Sequence, residues 1–379
     1  MKSDKTTPNV PTLRFKQYHC PWSTYHLSDI AEVVGGGTPD TTVPSLWNGD
    51  IQWFTPTEVG HQKYVSKSAR TITQLGLQKS STKKLPAGSI LLSSRATIGE
   101  CSIAQRECTT NQGFQNLIPK NDTNNEFLYY LAQTKKYHFI KYASGSTFLE
   151  ISNSEIRKTK CTVPGTEEQT QIAAFLSALD DRIAVQNKII SKYETLIKGL
   201  CDMIFPSIEG SILPLKAIVN IEKGQQINGM SLAKTGKYYY LNGGIAPSGY
   251  IDDYNTSEET ISISEGGNSC GFVSYNLQKF WSGGHCYTLK IMAEQCRSKY
   301  LFFYLKYKEK DIMQLRVGSG LPNIQKKSLE NFNVILPNYK KQCFVERIFE
   351  VVTAKKEIEN ALLERFQSQK KFLLSKMFI

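Results

Sequence analysis

A helical pattern that runs without interruption through residues 171–200 is the feature that most constrains how this chain folds. The stretch holds no proline and a single glycine, Gly199, near its end. One face recurs in alternating steps of four and three, the a/d heptad pattern of a helix that packs lengthwise against another helix. The members of this face are Ile172, Leu176, Leu179, Ile183, Gln186, Ile190, Tyr193, Ile197, Leu200 and Ile204.

The chain also repeats itself at an offset of 173 residues. Residues 145–164 (GSTFLEISNSEIRKTKCTVP) lie over residues 318–337 (GSGLPNIQKKSLENFNVILP) without a gap. The matched pairs include Gly145 and Gly318, Ser146 and Ser319, Ile151 and Ile324, Pro164 and Pro337, and Gln169 and Gln342. A repeat on this scale predicts one unit, a globular segment followed by a long helix, that occurs twice.

The second long helix shows a less regular apolar face. We assign to it Val345, Ile348, Val352, Ile358, Leu362, Phe366, Leu373 and Met377. Each helix spans about 40 residues, which is about 60 Å at 1.5 Å per residue. Neither apolar face is suited to water, so we predict that the two helices pair as an intramolecular, antiparallel coiled coil, with Gln186 able to specify its register. The alternative is two core helices of separate compact domains.

The globular segments have a different pattern. Residues 86–118 and 236–290 alternate short apolar runs with Gly, Ser, Thr and Asn turns, which is typical of short strands. Residues 126–142 and 298–316 are rich in aromatic residues and are predicted to be helical. The predicted fold class is α+β: two similar, mostly-β globular segments joined by two long helices in a pseudo-two-fold arrangement.

Charge and composition narrow the partners. The net charge is +12 and the isoelectric point about 9.1, a balance that favours a polyanionic partner such as nucleic acid. Residues 166–205 carry a net charge of −2, so the first long helix is not the expected phosphate binder. No apolar run is long enough to cross a membrane, and the nine cysteines are scattered. We therefore expect a cytoplasmic protein with reduced thiols and no membrane partner.

A search for phosphate-binding, methyltransferase and nuclease motifs finds none. The sequence lacks GxxxxGK[ST] and GxGxxG, has no amino-methyltransferase tetrad, and contains no Asp/Glu-x-Lys triplet. The five histidines have no metal-ligand spacing among them. We expect no catalytic residue and no metal site in this chain.

Polar, glycine-rich loops on a basic protein are the remaining candidates for function. Arg95, Asn111 and Gln112 are residue types that read guanine and adenine edges, and serine and threonine hydroxyls suit phosphate contacts. The candidate DNA-binding residues are Thr38, Trp47, Ser93, Ser94, Arg95, Thr97, Asn111, Gln112, Asn242, Gly243, Gly244, Ser264, Ser282, His285 and Ser319. For any single residue the alternative is ordinary turn chemistry, with the tryptophans in the core.

Four segments together resemble the specificity subunits of type I restriction–modification systems. They are GGGTP (35–39) with WNGDIQWFTPTEV (47–59), LPAGSILLSSRATIGECSIAQ (85–105), GSTFLEISNSEIRKTKCTVPGTEEQTQIAAFLSALDDRI (145–183) and GSGLPNIQKKSLENFNVILPNYKKQCFVERIF (318–349). The resemblance covers nearly the whole chain. It implies target recognition domains at 1–165 and 207–338, with conserved spacer helices at 166–206 and 339–379.

The resemblance also implies a role and partners. Each recognition domain of such a subunit reads one half of a bipartite duplex DNA site. Two modification subunits, which hold S-adenosylmethionine, methylate adenine, and restriction subunits use ATP and Mg²⁺ for translocation and cleavage. The specificity subunit itself binds no cofactor and does no chemistry. Two other readings stay open from the residues: a standalone DNA-modifying nuclease or methyltransferase, and a helical adaptor without a DNA role.

Overall fold

The computed structural model describes residues 9–120, 122–145, 149–229, 232–318 and 320–379. Its contacts divide the chain into two compact units. Unit 1 comprises Met1–Asn187 with Ala361–Ile379, and unit 2 comprises Lys188–Asn360. Each unit therefore contains one globular segment and one part of each long helix.

Unit 1 is built on short strands with helices against them. Its elements are β1 (Ser23–His26), α1 (Leu27–Ile30), β2 (Ala31–Gly35), β3 (Trp47–Phe54), β4 (Tyr64–Val65), β5 (Arg70–Ile72), α2 (Gln74–Gln78), β6 (Ile90–Leu92), β7 (Cys101–Ala104), β8 (Thr109–Thr110), β9 (Gln115–Pro119), α3 (Asn125–Thr134), α4 (Lys136–Lys141), α5 (Asn153–Lys158), β10 (Lys160–Val163) and the first part of α6 (Thr166–Ile204). A five-stranded sheet has the order β2-β9-β6-β7-β4, and a three-stranded sheet has the order β5-β3-β8.

The core of unit 1 forms where α3 and the long helices cover the five-stranded sheet. Strands β6 and β7 are buried along their whole length, as expected of short apolar runs bounded by turns. Phe127 on α3 is fully buried and stacks on Phe378 with ring centroids 5.2 Å apart. The C-terminal end of the chain is thus part of the unit 1 core.

Unit 2 repeats this plan. Its elements are β11 (Ser211–Pro214), β12 (Val219–Lys223), β13 (Tyr238–Leu241), β14 (Gly249–Ile251), β15 (Thr260–Ser264), β16 (Val273–Asn276), β17 (Phe280–Ser282), β18 (Cys286–Ile291), α7 (Ser298–Tyr307), α8 (Glu309–Met313), β19 (Arg316–Val317), β20 (Asn323–Ile324), α9 (Lys326–Glu330), β21 (Asn333–Leu336) and the first part of α10 (Tyr339–Met377). Its sheets have the orders β12-β18-β15-β16 and β14-β13-β17.

The two globular segments share one topology. Strands β12, β18, β15 and β16 occupy the places of β2, β9, β6 and β7, and β14-β13-β17 repeats β5-β3-β8. In each three-stranded sheet the central strand, β3 or β13, pairs antiparallel with one neighbour, β5 or β14. It pairs parallel with the other neighbour, β8 or β17. The strand pair β1–β10 likewise has a counterpart in β11–β21. The predicted α+β class with two similar, mostly-β segments is confirmed.

The long helices run antiparallel within each unit. In unit 1, Lys370 pairs with Asp180 at 2.7 Å, and the Arg182 guanidinium lies over the Phe366 ring at 5.2 Å. In unit 2, Lys356 pairs with Glu194 at 2.8 Å, while Phe349 stacks on Phe205. Residue numbers on one helix rise as those on the other fall, so the prediction of an antiparallel pair is confirmed.

The buried face of α6 contains the residues that the heptad pattern assigned to it. All ten, from Ile172 to Ile204, are buried or half-buried. The buried face of α10 is this series shifted by 173 residues: Val345, Phe349, Val352, Lys356, Glu359, Leu363, Phe366, Lys370, Leu373 and Met377, all buried or half-buried.

The sequence assignment of the α10 face needs correction at one residue. Ile358 does not lie on the buried face, since its side chain is 66% exposed and precedes the inward-facing Glu359. Ile348 and Leu362, each one residue before a member of the series, are half-buried at its margin. The face was misread because three of its members are charged: lysine stems can pack in such a seam while their ammonium groups reach outward.

Candidate nucleic-acid interface

Four loops of unit 1 meet at the ends of its strands. They are residues 36–40, 93–99, 111–113 and the described part of 144–150, which we call the unit 1 loop cluster. The Gly37 amide donates to the Thr110 carbonyl at 2.9 Å, and the Ser94 amide donates to Gly113 at 2.8 Å. The Ile151 amide donates to the Ser94 carbonyl at 3.1 Å. These backbone bonds hold loops that are distant in sequence in one fixed arrangement.

Five of the predicted residues present polar groups on this cluster. Thr38 donates its hydroxyl to the Gln112 side-chain oxygen, and the Asn111 side chain accepts from the Gly113 amide at 2.8 Å. Thr97 is exposed. Arg95 pairs with Glu150 at 2.7 Å, with 45% of the arginine side chain exposed. The structure therefore brings Thr38, Asn111 and Gln112 together and places Arg95 and Thr97 on the adjoining loop.

Three other predicted residues of unit 1 have no side-chain surface to offer a ligand. Trp47 is a core residue whose indole donates to the Asp40 carbonyl at 2.9 Å and packs edge-on against Trp53. Ser93 is fully buried and donates to the Arg95 carbonyl at 2.7 Å. Ser94 is fully buried as well. We withdraw the prediction that these three side chains contact DNA, because their burial makes them supports of the loops.

Unit 2 forms a corresponding arrangement, the unit 2 loop cluster. It comprises residues 224–229, 242–246, 265–271, 282–285 and the described part of 316–324. The Glu265 amide donates to the His285 carbonyl at 2.9 Å, and the Ile324 amide donates to the Glu265 carbonyl at 2.8 Å. The Gln225 backbone amide donates to the Ser282 carbonyl at 2.8 Å. As in unit 1, backbone bonds fix several loops against one another.

The predicted residues of unit 2 divide in the same way. Asn242 and Gly244 are half-buried and His285 is exposed. Gly243, Ser264 and Ser282 are buried; the Gly243 carbonyl accepts from the hydroxyls of Ser264 and Ser269. Burial leaves the Ser264 and Ser282 side chains no surface for a ligand, and the Gly243 carbonyl is used within the cluster, so the prediction that these three contact DNA is corrected. Ser319 lies outside the described residues.

The two clusters share a backbone frame but differ in side-chain chemistry. The carbonyls of Ser94 and Glu265 occupy the same place, since each accepts from the backbone amide of the isoleucine (Ile151 or Ile324) that the repeat offset matches. Gly99 and Gly271 close the two loops with φ of +83° and +91°, a conformation that favours glycine. A buried serine hydroxyl in one unit thus corresponds to a carboxylate in the other.

Glu265 is the most notable residue that the sequence reading missed. It is 8% exposed, and one carboxylate oxygen accepts from Lys223 at 2.6 Å and from the Tyr287 hydroxyl at 3.2 Å. Its other oxygen lies 3.5 Å from the His285 ring nitrogen. Burial, and then the neighbouring Glu265 carboxylate, raise the pKa of the Tyr287 hydroxyl. The repeat offset places Glu265 near Ser93 and Ser94, a signal that could have pointed to it.

The remaining chemistry of the described residues is sparse. Across the described ranges, no three His, Cys, Asp or Glu side chains gather in a way that could hold a metal ion. No helix in the same ranges has the length and hydropathy to span a membrane. All nine cysteines are free thiols, and burial raises the pKa of both Cys101 and Cys108 to about 12.

Two α+β units with the same loop frame and different loop side chains define a modular recognition protein. The family model described as type I restriction modification DNA specificity domain matches residues 20–195 and 211–367. The MjaIX specificity subunit, a type I restriction enzyme subunit of Methanocaldococcus jannaschii, is 31% identical over 358 residues, 83% of each chain. The chain belongs to the family of type I restriction–modification specificity subunits: it is a DNA-sequence-recognition subunit and not a catalytic one.

Solved structures agree in fold. The crystal structure of a type I restriction–modification S subunit from M. genitalium matches with a TM-score of 0.69 at 19% identity, covering 98% of this chain and 99% of that one. A chain from a structural study of complex assembly and conformational transition in the type I system matches with a TM-score of 0.57 at 17% identity, covering 95% and 98%. At these identities the likeness concerns the fold.

Proposed function

We propose that the chain reads a bipartite duplex DNA site, with the unit 1 loop cluster on one half-site and the unit 2 loop cluster on the other. The observation that carries this proposal is the shared frame around Ser94 and Glu265, on which different side chains are displayed. One backbone design with exchanged surface chemistry suits two modules that bind the same kind of ligand with different preferences. Thr38, Arg95, Thr97, Asn111 and Gln112 are the proposed contacts in unit 1, and Asn242, Gly244 and His285 those in unit 2.

The long helices then set the distance between the half-sites. Each has 39 residues, about 58 Å at 1.5 Å per residue. A paired helical spacer fixes a separation that a flexible linker would blur. We assign residues 1–165 and 207–338 to target recognition domains, and residues 166–206 and 339–379 to the spacer.

We further propose that this chain acts in a complex in the cytoplasm. Two modification subunits dock on it, hold S-adenosylmethionine and methylate adenine in each half-site. Restriction subunits supply translocation and cleavage with ATP and Mg²⁺. The chain supplies sequence recognition and geometry, and the cofactors belong to its partners.

Mapping adenine methylation across the genome, with and without the gene, tests the recognition role. The expected result is a bipartite motif with a fixed gap, which disappears when the gene is deleted. A motif without a gap, or one that persists without the gene, would contradict the proposal.

Lengthening the spacer tests the role of the helices. One heptad inserted between Asn187 and Lys188, and one between Asn360 and Ala361, keeps both buried faces in phase. Seven residues add about 10.5 Å, so the gap should grow by about three base pairs. Thr195→Ala with Gln367→Ala, two exposed positions on the same helices, should leave the gap unchanged. Specific methylation with an unaltered gap would rule out the spacer.

A further inference from the structure

A basic groove lies beside the unit 1 loop cluster. It has a volume of about 490 Å³ and is lined by His26, Ser28, Asn153, Ser154, Arg157 and Lys158. No carboxylate is among these lining residues. Arg157 and Lys158 are exposed, and the His26 ring nitrogen is 2.9 Å from the Lys158 carbonyl. The groove therefore offers cationic and neutral hydrogen-bonding groups only.

The groove is fixed to the loops that are proposed to read DNA. Helix α5 begins two residues after Ile151, whose amide donates to the Ser94 carbonyl. The Asn153 side chain donates to the Gln115 side-chain oxygen at 2.7 Å, next to the loop that holds Asn111 and Gln112. The basic residues of α5 thus follow directly, along the chain and in space, from the unit 1 loop cluster.

Unit 2 carries positive charge at the same place in its fold. Helix α9 begins two residues after Ile324, whose amide donates to the Glu265 carbonyl. Its first two residues, Lys326 and Lys327, are exposed, although Lys326 has Glu330 at 3.7 Å. Lys216 reaches the residue after this helix and donates to the Asn331 side chain at 2.9 Å.

Both units carry basic side chains on or next to this short helix, but not at equivalent positions of the repeat. At the repeat offset, Arg157 and Lys158 of unit 1 correspond to Glu330 and Asn331 of unit 2. Conversely, Lys326 and Lys327 correspond to Asn153 and Ser154. Each unit therefore places its basic groups at its own positions on the same short helix. Positive charge that recurs at one place from non-equivalent positions points to a shared polyanionic ligand, and not to inherited packing.

We propose that His26, Arg157 and Lys158 (the unit 1 basic cluster) and Lys216, Lys326 and Lys327 (the unit 2 basic cluster) bind the sugar-phosphate backbone of DNA beside each half-site. This inference rests on the proposed function and adds residues that are not among the loop residues predicted from the sequence. Phosphate contacts from lysine and arginine set register and affinity without reading sequence. The two clusters thus hold each unit on the duplex while its loops meet the bases.

The test measures binding of the full chain, alone and with its modification subunits, to a duplex that carries the mapped motif and to a scrambled duplex. Arg157→Gln with Lys158→Gln, and separately Lys326→Gln with Lys327→Gln, should weaken binding to both duplexes by the same factor. Each pair should also reduce the magnitude of the slope of log K against log salt by about two. Base preference should not change.

Lys67→Gln with Lys84→Gln is the charge-matched control, because both exposed lysines flank the opposite end of β7. That variant should keep the wild-type affinity and salt slope. If the cluster variants also keep both while wild-type binding remains specific, the clusters are not phosphate contacts, and the proposed function still stands. A changed preference at a base position would equally overturn the inference. Wild-type protein that shows no preference for the motif over the scrambled duplex, with the modification subunits present, would instead refute the proposed function.

Discussion

Gln342 repeats in unit 2 the place and the hydrogen bonds that Gln169 has in unit 1. The Gln169 side-chain amide donates to the Pro164 carbonyl at 3.0 Å, and the side-chain oxygen accepts from the Asn124 backbone amide at 3.0 Å. Gln342 donates to the Pro337 carbonyl at 2.9 Å and accepts from the Arg297 amide at 2.9 Å. Each glutamine therefore ties the start of a long helix to the start of the helix that packs on the β-sheet.

Gln169→Ala and Gln342→Ala should each lower the free energy of unfolding by about 1–3 kcal/mol. Both side chains are buried, so alanine would leave a backbone amide and a carbonyl without partners. Denaturant titration of the full chain measures the loss. Gln369→Ala, at an exposed position on α10, is the matched control and should change stability by less than about 0.5 kcal/mol. Equal effects of all three substitutions would show that the buried bonds do not contribute.

Phe349→Ala should destabilise the chain by about 3–5 kcal/mol, whereas Ile358→Ala on the same helix should cost less than about 1 kcal/mol. Phe349 is 1% exposed and stacks between Phe205 and Phe303, with ring centroids 5.6 and 5.1 Å away. Ile358 is 66% exposed. Thermal unfolding of the two variants measures the difference. A larger loss of stability for Ile358→Ala than for Phe349→Ala would show that Ile358 lies on the buried face after all.

The antiparallel helices and the doubled unit were predictable because their signals are periodic. The buried face of α6 follows from its 4–3 spacing alone. The sequence prediction missed Phe349 and Leu363 on α10 because it considered apolar residues only. It therefore passed over Lys356, Glu359 and Lys370, which belong to the same buried face. Shifting the α6 face by 173 residues identifies all of them, since the repeat preserves the packing position even where the side chain has become charged.

The loop residues were only partly predictable. A serine in a Gly/Ser/Thr-rich turn looks the same in sequence whether its hydroxyl faces solvent or a neighbouring carbonyl. Ser93 is fully buried while Thr97, four residues later, is exposed. Which of them is buried depends on backbone bonds to remote loops, such as that from Ser94 to Gly113, and local sequence does not specify those partners. Glu265 was missed because a carboxylate is an unexpected residue beside a polyanion.

Glu126 should make unit 1 sensitive to acid. Burial tends to raise the pKa of its carboxyl, but hydrogen bonds from Tyr64 and Lys63 outweigh burial and hold it below 4.5. A lowered folded-state pKa means that the unfolded chain takes up the proton first as pH falls. Stability from this group is therefore present above 4.5 and is lost as pH drops through the folded-state value.

The measurement is the free energy of unfolding between pH 6 and pH 3 by denaturant titration. Glu126→Gln should flatten the decline below pH 4.5 relative to the wild type. Glu107→Gln, which removes a largely exposed carboxylate paired with Lys84, should leave the profile nearly unchanged. An identical decline in wild type and Glu126→Gln would show that the Lys63–Glu126 pair does not link folding to protons.

Arg95→Ala should weaken binding to the mapped motif and relax the preference at one base position by about 1–3 kcal/mol. The Arg95 side chain is 45% exposed at the unit 1 loop cluster and is paired with Glu150 at 2.7 Å. An exposed ion pair of this kind contributes at most about 1 kcal/mol to stability, so the substitution should leave folding intact. Competition binding against duplexes with single base-pair changes measures the preference.

The substitution Glu150→Gln distinguishes the effect of Glu150 on the orientation of Arg95 from its effect on the charge of the loop cluster. Loss of the carboxylate frees the Arg95 side chain and removes one negative charge from the cluster. Binding to scrambled DNA should therefore strengthen, while discrimination at the position read by Arg95 should decline. Lys67→Ala, which removes one exposed positive charge just after β4, beside the C-terminal end of β7, should alter neither. If Arg95→Ala leaves both affinity and preference unchanged, Arg95 is not part of the DNA-binding site, and its pairing with Glu150 serves only to join two loops of the cluster.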